Sequence, residues 1–231
     1  MLVPILLTAI APGLALAFII YLIDRFDREP LGLLIKLFLG GCLSVIPVLI
    51  VEAILDAINP FAGLVAVAFE AFLVAGLTEE FFKRRVVLKL AYAKSSFNEK
   101  LDGIVYAVFA ALGFATIENI LYLFQFIADN PSIGITRGVF AVPTHMLLGM
   151  TMGYYISLAR FAQHETERRQ YLSKSLYVPM LLHGIFDFIL MSELNIAFVF
   201  FLPYVAYLWL TNLRKLNRYY QESKNRLFPE G

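Results

Sequence analysis

Long apolar runs broken by short polar joints set the pattern of this chain. Seven runs stand out, at 2–23, 31–55, 61–82, 102–128, 138–159, 175–191 and 196–212. A helix rising about 1.5 Å per residue needs roughly 20 apolar residues to cross a hydrocarbon core about 30 Å thick. Each run therefore predicts a transmembrane helix. The last two are short, and the joint Ser192-Glu193-Leu194-Asn195 is tight enough to make them a helical hairpin. The first run has no basic residue ahead of it and no cleavage site before Asp24, so it predicts a retained helix rather than a signal peptide. No joint is long enough for a soluble domain, and no internal repeat or low-complexity tract appears. The expectation is one all-α, polytopic membrane bundle of about seven helices spanning 1–231.

The basic residues give this bundle a direction. Arg25 and Arg28 follow span 1, and the cluster from Lys83 to Lys100 follows span 3. Arg160 to Lys174 follow span 5, and Arg214 to Arg226 follow span 7. In a seven-span arrangement 17 of the 19 basic residues thus fall on one side. The joints 56–60, 129–136 and 192–195 hold none. The positive-inside rule then puts the N-terminus outside and the C-terminus in the cytoplasm. Lys36 can snorkel at the inner end of span 2, and Arg137 is left as the one basic residue at the outer face.

Composition agrees and excludes other classes. Hydrophobic residues make up 60% of the chain and charged residues 16%, with a mean hydropathy of +0.73. A net charge of +1 leaves no excess of cations for a nucleic-acid partner. Cys42 is the single cysteine, so intrachain disulfides and thiolate metal sites are excluded, and any metal must use His and carboxylate ligands.

Against this background, ionisable groups inside the runs call for a reason, since each costs several kcal/mol in lipid. Glu79 and Glu80 lie in Gly76-Leu77-Thr78-Glu79-Glu80-Phe81-Phe82-Lys83, and Glu118 in Gly113-Phe114-Ala115-Thr116-Ile117-Glu118-Asn119. His145 follows Val142-Pro143-Thr144, and His183 and Asp187 lie four apart in Leu182-His183-Gly184-Ile185-Phe186-Asp187. Helix rise puts His145 about 12 Å in from Arg137, His183 about 13 Å in from Lys174 and Glu118 about 16 Å from Asp129. All three fall near mid-membrane. The i, i+4 spacing lets Asp187 orient His183. Gly149 and Gly153 would let span 5 pack closely on a neighbour.

Plainer readings exist for each group. Glu79 and Lys83 also make an ordinary i, i+4 ion pair at a helix end, and a lone intramembrane His is often structural. Glu118 has no basic residue near it in sequence, which leaves an imidazole, a metal or a proton to support it. Glu52 and Glu70 receive no role. His164 reads as solvated, and Tyr204, Tyr207 and Trp209 fit an aromatic belt or packing.

With Ile10-Ala11-Pro12-Gly13, Asp27-Arg28-Glu29-Pro30 and Asp102-Gly103-Ile104-Val105-Tyr106, these segments resemble the PrsW family of bacterial membrane proteases over nearly the whole chain. The resemblance implies a peptidase of the bacterial cell membrane that makes the first cut in a single-span anti-sigma factor, so that a sigma factor is freed. The wider superfamily, which includes the CAAX-processing proteases, pairs a double glutamate with Phe-xxx-His and His-xxx-Asn motifs. Here the corresponding positions read Phe114-xxx-Glu118 and end in Asp187, and the extra carboxylates favour a cation. Glu79 or Glu80 would then act as general base. Glu118, His145 and His183 would ligate a zinc-like ion or position the water directly, and His183 with Asp187 could stabilise the oxyanion.

Two points stay open on sequence alone. The same residues suit a proton relay in a transporter, against which no inverted repeat appears, or a CAAX-like processing peptidase, whereas a non-catalytic scaffold would have no need of them. The span arrangement also puts Glu79 and Glu80 about 10 Å from His145 and Glu118 in depth. Because Lys83, Arg84 and Arg85 are hard to sink, a water-filled cavity between the two levels is the expected answer.

Overall fold

The protein, described from a computed structural model, is an all-α bundle with no strand among the described residues, which are 2–128 and 132–228, the first four by backbone alone. Asp129, used above as a depth marker, lies outside them. Helix α1 covers Leu2–Ile23 and α2 covers Leu31–Ala57. The third stretch is a composite: α3 (Gly63–Phe69) passes through a π-helical segment (Glu70–Leu77) into α4 (Thr78–Leu90). Then come α5 (Lys100–Phe126), short α6 (Ile133–Val139), α7 (Ala141–Arg160), α8 (Glu165–Met191) and α9 (Asn195–Leu227).

Five helices, α1, α2, α5, α8 and α9, are long and apolar enough to cross a membrane. The third stretch falls outside that group because π turns divide it into short pieces. Helix α7 spends its apolar budget differently, carrying Thr144, His145, Thr151 and Ser157 on its buried surface. Two helices also outrun their apolar runs. Polar residues before 175 extend α8 at its start, where Glu165 pairs with Arg168 and Arg169. Polar residues after 212 prolong α9, where Arg218 pairs with Glu222. Such i, i+3 and i, i+4 pairs support helix where no lipid is met. The joint between α8 and α9 turns sharply, with Glu193 at φ 52°.

Helix α5 is the axis of the bundle, buried almost without interruption from Leu101 to Thr116. Small residues let its neighbours come to backbone contact. A Cβ on Gly113 would sit 1.9 Å from the Phe38 carbonyl oxygen of α2, and one on Gly153 of α7 would sit 2.1 Å from that of Gly103. The Gly149/Gly153 pair thus seats α7 against α5. The outer helices instead expose Phe18, Leu43, Ile46, Val199 and Leu202. Lipid accepts such side chains, and hydrogen bonding within each helix satisfies the backbone away from its ends.

Candidate active site

The third stretch comes close to α8 where its π turns run. Gly76 approaches the Met180 carbonyl, and a Cβ on Gly184 would fall 2.2 Å from the Phe72 ring. That closeness fixes the start of α4, where the double glutamate lies. Adjacent helical residues point about 100° apart, so the two glutamates face different ways. Glu79 lines a cavity of about 680 Å³. Glu80 turns inward and is fully buried.

Lys83 holds both. Its Nζ donates to Glu79 Oε2 at 2.9 Å, to Glu80 Oε1 at 2.9 Å and to His145 Nδ1 at 3.0 Å, and it lies 4.2 Å from the centre of the Phe114 ring. An ammonium only donates. His145 Nδ1 is therefore the acceptor, and its Nε2 carries the hydrogen that goes to Glu118 Oε2 at 2.8 Å. Glu118 also pairs with Arg137 Nη2 at 2.9 Å. Arg137 in turn donates from Nε to Asn119 Oδ1 at 3.1 Å and lies 3.7 Å over the Tyr122 ring. His183, from α8, stands edge-on to His145 with ring centres 5.3 Å apart. Its Nδ1 is 3.1 Å from Glu80 Oε1 and its Nε2 is 3.2 Å from Asp187 Oδ2. Both nitrogens face carboxylates, an arrangement suited to a doubly protonated ring.

These contacts revise three sequence expectations. Glu79 and Glu80 lie at the level of the histidines, with Glu79 Oε2 4.0 Å from His145 Nδ1 and 3.9 Å from His183 Nε2. The third stretch has sunk Lys83, which is 1% exposed. Two carboxylates and an imidazole replace the water it gives up, which is the condition for burying an ion. Glu118 does have a cation, because the turn through α6 brings Arg137 back onto it. Finally, the histidines gather with Glu79 into a compact group that could hold a metal, the donor atoms of Glu79, His145 and His183 all lying within 4.8 Å of one another. Glu118 contacts the far nitrogen of His145 instead.

Lys83 and Arg137 are the site members the sequence reading missed. Their signals were the spacing of Lys83, three and four residues from the two glutamates, and the isolation of Arg137 from all other basic residues. Glu52 also lines the cavity. Glu70 accepts from Asn59 Nδ2 at 3.3 Å, away from the histidines.

Two imidazoles and a carboxylate match the His₂Glu donor set of zinc hydrolases. The carboxylates behind His145 and His183 match the outer partners that orient metal-bound imidazoles. The residues fit such an ion, with the Lys83 ammonium now bonded to two of the three donors.

Residues 29–210 match the family described as PrsW family intramembrane metalloprotease. The chain is 43% identical over 223 residues to Protease PrsW of Clostridioides difficile, covering 96% of this chain and 94% of that one. It is 37% identical over 214 residues to Protease PrsW of Bacillus subtilis, with 93% and 94% covered. A third relative, Protease PrsW of Geobacillus kaustophilus, is 40% identical over 210 residues, with 90% and 89% covered. No solved structure matches the chain. With its family match over most of its length and its apolar helices, this chain belongs to the PrsW family of intramembrane proteases and is a multi-pass bacterial membrane protein.

Proposed function

We propose that the chain is an endopeptidase cleaving a membrane-anchored substrate, with Glu79, His145 and His183 as catalytic residues. Glu80, Glu118 and Asp187 then act as positioning residues that hold the two imidazoles. The observation that carries this reading is the meeting of Glu79, His145 and His183, from three helices, on the wall of one cavity. Glu79 faces that cavity and Glu80 does not, which makes Glu79 the base. It takes a proton from a cavity water whose oxygen adds to the scissile carbonyl carbon. The carbon–nitrogen bond then breaks, and the amine leaves with the proton Glu79 had taken. His183 offers positive charge to the tetrahedral oxyanion in a site screened from bulk water. A zinc-like ion, if bound, would instead be held by Glu79, His145 and His183 in place of the Lys83 ammonium and a His183 proton; it would polarise the carbonyl and lower the pKa of its water, with Glu79 then a ligand and not the free base.

The substrate we assign is a single-span anti-sigma factor, cut first by this enzyme. The family resemblance supports it, as does a cavity bounded by apolar side chains of α2 and α9 such as Val48, Leu49 and Phe198. The one-sided basic residues support an outer N-terminus and a cytoplasmic C-terminus. Reporter fusions after Asn59 and Glu193 should then report outside, and those after Lys94 and the C-terminus inside.

The test is cleavage of candidate single-span substrates at matched enzyme levels. Wild type should cut, and Glu79→Gln should accumulate uncut substrate. Chelation should abolish cutting and Zn²⁺ should restore it, whereas full activity in metal-free protein would favour a hydrogen-bonded water. Normal cutting by both Glu79→Gln and Glu80→Gln overturns the proposal.

A further inference from the structure

A second carboxylate cluster lies where the joint after α1 meets the start of α5. Asp24, Glu99 and Asp102 each offer an oxygen within 4.8 Å of the others, and all three are buried. Backbone amides fix two of them. Asp24 Oδ2 accepts from the Glu29 N–H at 2.9 Å, and Asp102 Oδ2 accepts from the Asn98 and Glu99 N–H groups at 2.8 Å each. That leaves Asp24 Oδ1 and Asp102 Oδ1 buried without a hydrogen-bond partner among the described residues, on side chains that are 0% exposed. A bare buried carboxylate oxygen is costly, so a proton or a cation is needed there.

The nearby cations do not meet that need. Arg226 pairs with Asp27 and stays 3.7 Å from Glu99 Oε2, too long for a hydrogen bond. Arg25 donates to the Tyr220 hydroxyl at 2.6 Å, and Arg28 lies 5.4 Å over the Tyr21 ring. Glu29 adds a further carboxylate, which accepts from the Tyr106 hydroxyl and approaches Asp102. A cavity of about 370 Å³, lined by Glu99, Lys100, Glu222, Ser223 and Arg226, reaches the Glu99 member of the cluster from the end of the bundle that bears the basic joints.

We propose that Asp24, Glu99 and Asp102 form a binding site for a hard divalent cation of the Mg²⁺ or Ca²⁺ class, separate from the histidine site. Oxygen ligands at about 2.0–2.6 Å from such an ion lie no more than about 5 Å apart, which these do. An all-oxygen set with no His or Cys selects against zinc. Bound there, the ion ties the α1–α2 joint to the first turn of α5, the helix on which the rest of the bundle packs.

The probe is Mn²⁺, followed by loss of its free-ion EPR signal on full-length protein in detergent. A His145→Ala/His183→Ala background silences the histidine site, so the outcome does not depend on the peptidase reading. One saturable Mn²⁺ site should remain, displaced by Mg²⁺ or Ca²⁺. Adding Asp24→Asn or Glu99→Gln should weaken it by about 10-fold or more. If Asp24→Asn fails to accumulate, Glu99→Gln decides, because Glu99 lines the cavity. No saturable site in the histidine-free background overturns the proposal, because a shared proton then suffices. Unchanged affinity in the carboxylate variants overturns it as well.

Discussion

Glu80 and Asp102 are both carboxylates with no exposed surface, yet their surroundings differ in kind. Glu80 is answered by side chains that carry charge, Lys83 and His183, drawn from its own helix and from α8. Asp102 is answered on one oxygen by backbone amides and on the other by nothing among the described residues. The first arrangement joins helices distant in sequence and meets a cavity through His183, so charge there can act on something that enters. The second caps the start of a helix and has one oxygen to spare. Burial of a carboxylate is thus no sign of catalysis by itself; the identity of its partners and what they face decide its use.

Four measurements press on this contrast, beginning with the largest effect. Glu79→Gln keeps the shape of the cavity wall and removes the proposed base, so cleavage should fall by about 10² to 10⁴, whereas Asp102→Asn should leave the rate nearer to wild type. Equal losses in the two variants, at equal protein levels, would erase the distinction. Next, Lys83→Met strands Glu79 and Glu80 without their cation. Breaking a buried ion pair costs about 3–5 kcal/mol, readable as a lowered unfolding temperature. A variant as stable as wild type would mean that the histidines suffice.

Arg137→Gln should act more mildly, because Glu118 keeps His145 as a partner. A loss of about 10- to 100-fold in cleavage is expected of an outer partner. No loss would reduce Arg137 to a structural role.

The smallest effect concerns pH and the second cluster. Burial, with Glu99 and Asp27 beside it and the Glu29 amide and Arg28 opposing, pushes Asp24 from 3.8 up to about 6. Burial likewise pushes Glu29 from 4.5 up to about 7, with Asp24 adding to the shift and Tyr106 opposing it. Between about pH 4 and 7 the folded protein therefore holds protons the unfolded chain has lost. Stability from these groups is full below about pH 4 and falls as pH rises through 6 and 7. Thermal unfolding in detergent without divalent cations should follow that slope, and Mn²⁺ should flatten it. A rise in stability across this range would reverse the assigned direction.

Much of the architecture could be read directly, for a physical reason. Lipid demands about 20 apolar residues per crossing and satisfied backbones, so runs such as 2–23 and 31–55 announced α1 and α2 almost to the residue. The cost of charge in lipid singles out Glu79, Glu80, Glu118, His145 and His183 in the sequence, and the i, i+4 rule pairs His183 with Asp187. Helix ends were less legible where charged residues prolong α8 and α9 beyond the apolar runs, since a helix outside lipid needs no hydrophobicity.

What only the tertiary structure decided is the pairing of those groups across helices. A run of apolar residues sets depth to within a turn or two, but neither rotation nor tilt. The π turns before Thr78 and the close packing on α8 fix both for Glu79 and Glu80. They bring Lys83 inside, which hydropathy argues against and which two carboxylates and an imidazole make affordable. The return of the chain through α6 delivers Arg137 to Glu118, a contact between residues 19 apart that no helical spacing encodes. Sequence by itself determined which side chains would need partners in lipid. The fold alone chose the partners, because that choice depends on distances between helices that apolar patterning leaves free.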